Sequence, residues 1–251
     1  MTSLYADAVA ANRPDLLPVP ERALTIGAHP DDAEFGAGGT LARWAREGCQ
    51  ISMLIVTDGS KGSWDPEVSA ADLAKLRAAE QIAAAGALGV AGELIHLDYV
   101  DGELEYSMEL RKRICEWIRR VRPNVVLSHD PWKRYMLHPD HRAAGMGTID
   151  GVVAARDHLF YPELGLEKHR PDAILLWGAD EPDYWEDIAP MFDVKIEALL
   201  CHSSQTQSTM NDATNGEEAR AAFITRMTEW SARNGAAVGL PLAECFKLLR
   251  P

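Results

Sequence analysis

The sequence predicts an α/β fold with a mostly parallel sheet and helices on both faces. Three observations carry that expectation. Short, continuously apolar runs recur at 23–28, 51–57, 94–97, 124–128 and Ala173–Trp177, the pattern of strands buried on both sides. Helical stretches alternate with them, which is how parallel strands are connected. The segment after each of the first four runs is rich in polar or ionisable residues, and in such folds ligands sit outside the carboxyl ends of the strands.

Residues 1–22 hold Pro14, Pro18 and Pro20 and read as an extended N-terminal arm; 23–251 read as a single domain. After the first strand a helix is expected from about Gly38, because Pro30 and the glycines Gly36, Gly38 and Gly39 read as a turn. The second strand ends in 58–63, DGSKGS, a flexible loop. Residues 72–88 form an alanine-rich helix closed by Gly89. The third strand runs into 98–102, DYVDG, and both loops are expected to border a pocket. Residues 108–120 are amphipathic, with Ile114, Trp117 and Ile118 on the apolar face and Met108 as a further core candidate. A helix follows His138 to about Asp157. Beyond the fifth strand, 181–190 reads as a surface excursion, 191–194 as a short strand, and 195–200 and 217–233 as helices.

The chain has 251 residues, 47% of them hydrophobic, enough to bury a substantial core. A net charge of -13 argues against nucleic acid or an anionic membrane surface as partner. No apolar run approaches the roughly 18 residues of a membrane span, and no signal peptide is visible. Cys49, Cys115, Cys201 and Cys245 form no CxxC pair and read as reduced thiols. The expectation is a soluble cytoplasmic protein with a small-molecule substrate, and a homo-oligomer is an open alternative.

The chemistry is concentrated in two clusters. His29, Asp31, Asp32 and Glu34 follow the first strand, where packing gains nothing from an imidazole and three carboxylates. His138, Asp140 and His141 open a helix after the fourth, with Pro139 suited to its first position. A divalent metal would neutralise the carboxylates. His29, Asp32 and His141 make a tridentate set, and three protein ligands with one open position is the pattern of a catalytic zinc. His129 reads as a core or supporting residue ahead of a ligand, and His96, His158 and His169 as structural or solvated. The three glycines do not form GxGxxG, and carboxylates would occupy the place of a pyrophosphate, which argues against a nucleotide-binding module.

The segments AHPDDAEFGAGGTLARW at 28–44 and HPDHRAAG at 138–145 resemble the two signature motifs of the LmbE-like, PIG-L family of zinc-dependent N-acetylglucosaminyl deacetylases. That family includes the deacetylases of mycothiol and bacillithiol biosynthesis. TDGSKG at 57–62, RAAE at 77–80 and KIEALLCHSSQ at 195–205 fall in the family's order, so the resemblance spans roughly 22–205. It implies a Rossmann-like three-layer fold and one Zn2+ per chain, held by His29, Asp32 and His141. It also implies removal of an N-acetyl group from an amino sugar conjugate, with Asp31 as general base toward a metal-activated water. A protonated His138 would hold the oxyanion, and Asp140 would support a histidine. Arg77, Asp101 and His202 would reach the substrate, each with a structural role as the alternative. A metal-dependent hydratase acting on an unsaturated carboxylic acid is the rival on the same scaffold, with Lys61, Arg77, Lys133 and Arg134 as cations for its substrate.

Overall fold

A computed structural model describes residues 16–206, 208–210 and 216–251. The larger part of the arm, 1–15, lies outside them. Five parallel strands form the body of the sheet: β1 (Arg22–Gly27), β2 (Gln50–Thr57), β3 (Leu94–Tyr99), β4 (Val125–His129) and β5 (Ala173–Trp177). Two more complete it, β6 (Tyr184–Asp187) and β7 (Ala243–Leu249), with β7 antiparallel to both β5 and β6. The order is β3-β2-β1-β4-β5-β7-β6, so the sheet is mostly parallel, as expected.

The helices are α1 (Asp32–Arg46), α2 (Ala70–Leu88), α3 (Met108–Val121), α4 (Pro139–Arg156), α5 (Phe192–Leu200) and α6 (Glu217–Ala236). Alternation along β2 shows how they sandwich the sheet. Ile51, Met53 and Ile55 join Leu41, Trp44 and Leu88 in one core layer. Leu54 and Val56 join Leu110, Ile114, Ile118 and Val152 in the other. A third cluster packs α5 against α6 through Phe192, Ile196, Phe223 and Met227. Caps match the sequence: Ser69 accepts from the Asp72 amide, and Gly89 closes α2 in a left-handed conformation. The described part of the arm lies on the core, where the Leu17 amide donates to the Tyr184 hydroxyl at 3.1 Å.

Four elements differ from the sequence reading, each for a tertiary reason. Helix α1 begins at Asp32 and runs through Gly36, Gly38 and Gly39, which are sites of close approach. A Cβ on Gly36 would stand 2.5 Å from the Trp177 ring, and one on Gly39 2.6 Å from Ile188. No strand forms at 191–194; a 3-10 turn at Ala189–Met191 leads directly into α5. The 181–190 segment contains the edge strand β6 with Tyr184 and Trp185 buried. Strand β7 was not expected at all, because Glu244 and Lys247 interrupt its apolar run. Met108 is 54% exposed, so it is no core residue, whereas Trp117 does pack against the second layer. No helix among the described residues is long and apolar enough to cross a membrane.

From β1 the chain moves outward through β2 and β3, then returns to place β4 on the other side of β1. Such a reversal opens a crevice at the carboxyl ends of the two central strands. His29–Asp32 follow β1; His129 ends β4, and His138 and His141 follow it. The topology therefore delivers both histidine clusters to one place.

Candidate active site

Asp31 caps α1 with φ 101°, a left-handed conformation for a residue with a side chain. Such a backbone costs on the order of 1–3 kcal/mol and persists only where its surroundings impose it. Here the Asp31 amide donates to Gln81 Oε1 at 3.1 Å, and Arg77 Nη2 lies 3.4 Å from Asp31 Oδ2. The adjacent Asp32 thereby turns inward. Its Oδ2 accepts from the His29 amide at 2.7 Å and lies 3.0 Å from His129 Nε2, which leaves Oδ1 facing His141. On the other side, Pro139 occupies the first helical position of α4, His138 is the cap, and His141 sits in the first turn.

His29 Nδ1 is 3.2 Å from His141 Nε2, which is 3.3 Å from Asp32 Oδ1; Asp32 Oδ2 is 3.6 Å from His29 Nδ1. Ligands about 2.0–2.2 Å from a tetrahedral ion stand roughly 3.3–3.6 Å apart; the two nitrogens and Asp32 Oδ1 beside His141 approach that spacing, and the carboxylate reaches His29 through its other oxygen. The far side of His29 is equally specified. Its Nε2 meets Asp101 Oδ1 at 3.1 Å and Asp140 Oδ2 at 3.2 Å, which fixes the proton there and points the Nδ1 lone pair into the triad. Three sets bring ligand atoms within 4.8 Å of one another: His29 with His138 and His141, Asp32 with His129 and His141, and His29 with Asp101 and Asp140. His29, Asp32 and His141 draw on the first two of these sets, with His29 Nε2 committed to Asp101 and Asp140 and Asp32 Oδ2 to the His29 amide and His129.

Electrostatics describes a site built to hold positive charge. Burial alone would lower the His29 pKa, but hydrogen bonds to Asp101, Asp140 and Asp32 push it up to about 11. Burial raises Asp31 and Arg77 lowers it; with the charge of Asp32 beside it, the carboxyl reaches about 7. Asp32 is held well below the carboxylate range, burial being overcome by His129 and His141. Burial drives His141 down to about 4. Burial and the positive His29 also lower His138, the reverse of the imidazolium expected there. A neutral His138 remains able to donate one N–H. Its buried Nδ1 has no partner among the described residues.

Of the two roles left open for the remaining candidates, their contacts favour the structural one. Arg77 is only 3% exposed; it donates to Gly59 O at 3.1 Å and Pro30 O at 2.6 Å, tying the loops after β1 and β2 together. Gly59 and Gly62 are glycines because a Cβ there would meet its guanidinium at 2.7 and 2.5 Å. Asp101 is 4% exposed and is spent on His29 and the Lys61 amide. These contacts make both residues supports for the site. His202 is fully buried, driven by burial down to about 3, and its Nε2 lies 3.8 Å from Glu34 Oε2. Asp140 supports a histidine as expected, but it is His29 of the other cluster. Sequence reasoning missed Gln81 and Trp177, which carry no motif of their own.

A cleft of about 290 Å³ adjoins the triad at Asp32 and His141, walled by Phe35, Trp177 and Trp230 with Lys133 and Asn234 among its polar residues. The loops at 60–63 and 98–102, expected to border a pocket, do not line it; Gly62 packs on Arg77 and the Lys61 amide donates to Asp101.

Comparisons with known proteins place the chain among de-N-acetylases. Residues 24–151 match the family model described as PIG-L, GlcNAc-PI de-N-acetylase. A diacetylchitobiose deacetylase of Thermococcus kodakarensis is 40% identical over 189 residues, covering 74% of this chain and 70% of that protein. The solved N,N'-diacetylchitobiose deacetylase of Pyrococcus horikoshii superposes with TM-score 0.85 at 27% identity, over 98% of this chain and 90% of that one. A 4-carboxy-2-hydroxymuconate hydratase of Pseudomonas putida shares the fold, with TM-score 0.74 at 22% identity over 92% of this chain and 97% of that one. On the matched family model and this degree of identity, the chain belongs to the PIG-L family of de-N-acetylases.

Proposed function

We propose that this protein is a zinc-dependent hydrolase that removes the acetyl group from an N-acetylglucosamine-type sugar or conjugate. One observation carries the reading. His29 Nδ1, His141 Nε2 and the carboxylate of Asp32, brought from the loops after β1 and β4, lie 3.2–3.6 Å apart, beside an aspartate on strained backbone and next to a sugar-sized cleft. His29, Asp32 and His141 would hold the metal; imidazole and carboxylate suit zinc, and the same donors take iron or manganese. Such an ion, when bound, lowers the pKa of water to about 7 and polarises a carbonyl.

The chain's own residues supply the rest. Asp31 takes the proton of the attacking water, and a carboxyl near pKa 7 is matched to that task. Arg77 and Gln81 hold Asp31 in place from below. His138 donates an N–H to the carbonyl oxygen as charge develops on it, a contribution of roughly 3 kcal/mol for such donors. Asp31, protonated by then, returns its proton to the departing amine. The cleft is near the small end of ligand sites, room for about one ring beyond the acetamide. Its indoles offer flat apolar faces, and Lys133 and Asn234 offer polar groups to hydroxyls.

The hydratase alternative has less support. A dicarboxylate needs free cations at the site, yet Lys61 is paired with Glu103 at 2.5 Å and Arg77 is buried under Asp31. Arg134 does not line the cleft, which leaves Lys133. The test is amine release from N-acetylglucosamine and its conjugates, run beside hydration of unsaturated dicarboxylates. Both assays use protein carrying about one metal per chain. Amine release that ends on chelation and returns with zinc is expected; hydration without amine release would replace this reading with the hydratase.

A further inference from the structure

The feature left unexplained by that chemistry is a fourth imidazole beside the triad. His129, the last residue of β4, is buried and stacked on His141 with ring centroids 4.2 Å apart. Its Nε2 lies 3.0 Å from Asp32 Oδ2, and ligand atoms of Asp32, His129 and His141 fall within 4.8 Å of one another. By position alone, His129 could coordinate the same ion. Four protein ligands would give a closed, structural type of metal site, whereas catalysis needs one position open.

The other ring nitrogen settles which role His129 takes. Trp177 Nε1 lies 3.0 Å from His129 Nδ1, with both residues buried. An indole nitrogen only donates, so Nδ1 must accept, and the proton of the neutral ring is on Nε2. There it donates to Asp32 and has no lone pair to offer a metal. The Ala28 amide also approaches Nε2, but at 3.4 Å, and yields to the shorter pair of bonds. Trp177 itself is held by the shape of α1: at Gly36 any Cβ would overlap its ring.

We propose that Trp177 and His129 are positioning residues: the indole N–H fixes the histidine tautomer, so that His129 steadies Asp32 and stays out of the metal's coordination. This rests on the metal-site reading above. In effect the pair keeps the site three-ligand and open. Neither residue needs to touch the substrate for this, and nothing in the signature motifs includes them.

The test uses Co2+ as the probe metal. Metal-free wild-type protein and the variants Trp177→Phe, His129→Leu and His129→Gln are titrated with Co2+, followed by visible absorption and chelator competition, alongside kcat and KM. In wild type one Co2+ is expected per chain. His129→Leu removes the donor to Asp32 and should weaken binding about 10-fold or more, while His129→Gln, which can place an amide N–H near the lost Nε2–H, should restore most of it. Trp177→Phe frees the tautomer, so His129 joins the ion: the absorption changes, Co2+ is held at least as tightly as in wild type, and kcat falls with KM little moved. A wild-type spectrum and wild-type kcat in Trp177→Phe would overturn the inference. If that variant does not fold, equal Co2+ affinity in His129→Leu and His129→Gln overturns it instead. Wild-type protein that takes up no Co2+ removes the metal reading itself, a result visible before any variant is made.

Discussion

Two of the buried charge clusters among the described residues are built on opposite principles. Behind α1, Lys195 Nζ meets Glu244 Oε1 at 2.5 Å and donates to Phe35 O at 2.7 Å. Glu244 also accepts from the Gly39 and Thr40 amides and the Thr40 hydroxyl, at 2.9, 2.8 and 2.6 Å. Both partners are fully engaged and the backbone beneath them is ordinary helix. In front of α1, three carboxylates surround one imidazole, Asp31 sits on left-handed backbone, and His138, His202 and Glu34 each keep a buried polar atom without a partner. Equal burial thus separates into satisfied and unsatisfied polarity. The satisfied cluster joins α5 and β7 to α1. The unsatisfied one has a surplus of acceptors that a cation would fill, which supports the proposal of a metal site there.

The contrast breaks most sharply at the two adjacent aspartates. Asp31→Asn is expected to keep the metal and lose roughly 10²–10⁴ in turnover, the usual worth of a positioned base. Asp32→Asn is expected to lose metal instead. Metal content and kcat measured on both variants decide the assignment, and metal loss in Asp31→Asn with retention in Asp32→Asn would exchange the two roles.

The satisfied cluster should fail through stability. Glu244→Gln leaves Lys195 buried without its counter-charge, a loss on the order of 3–5 kcal/mol. For a chain of this size that lowers the melting temperature by roughly 10 °C. Metal content per folded chain should not change; if it does, the two clusters are coupled through α1.

Arg77 lies between the extremes, buried and largely satisfied, yet in contact with the base. Arg77→Ala should release Asp31 and the Gly59 loop, and misplacement by about 1 Å can cost 10² in rate. The expected signature is a fall in kcat larger than any rise in KM. A change confined to KM would return Arg77 to the substrate, the other role the sequence left open.

The smallest expected effect is a pH trend. His29 has a folded value of about 11 against an unfolded value near 6.5. A group raised in this way contributes stability in full below its unfolded pKa and loses it as pH climbs toward the folded one. Chelated protein should therefore melt lower near pH 9 than near pH 7. Zinc should shrink the difference by taking the place of the proton on Nδ1. Melting curves at both pH values, with and without metal, check the sign; a metal-free protein that gains stability over that interval would contradict it.

Much of the site was legible because its chemistry is local in sequence. HPDD and HPDH each put a histidine and a carboxylate within one turn, and apolar runs before them mark strand ends. His29, Asp32 and His141 lie in mutual contact in the folded chain, at 3.2–3.6 Å. For Arg77, Asp101 and His202 the sequence left a substrate contact and a structural role open, because a motif records that a residue matters without recording which way it faces. Burial turned all three inward.

The sequence by itself determined the parallel core, β1 to β5, and the two clusters at the ends of β1 and β4. Continuous apolar runs and paired histidine motifs are one-dimensional signals, and each survives without knowledge of its neighbours. Only the tertiary structure decided what depends on partners distant in the chain. Strand β7 tolerates Glu244 because Lys195 comes from α5, 49 residues away, to meet it. Helix α1 keeps its glycines because Trp177 and Ile188 press against them. His129 is a supporting donor because an indole 48 residues away fixes its proton. In each case the residue type fits its surroundings only after folding has assembled them, so no local pattern could have announced it.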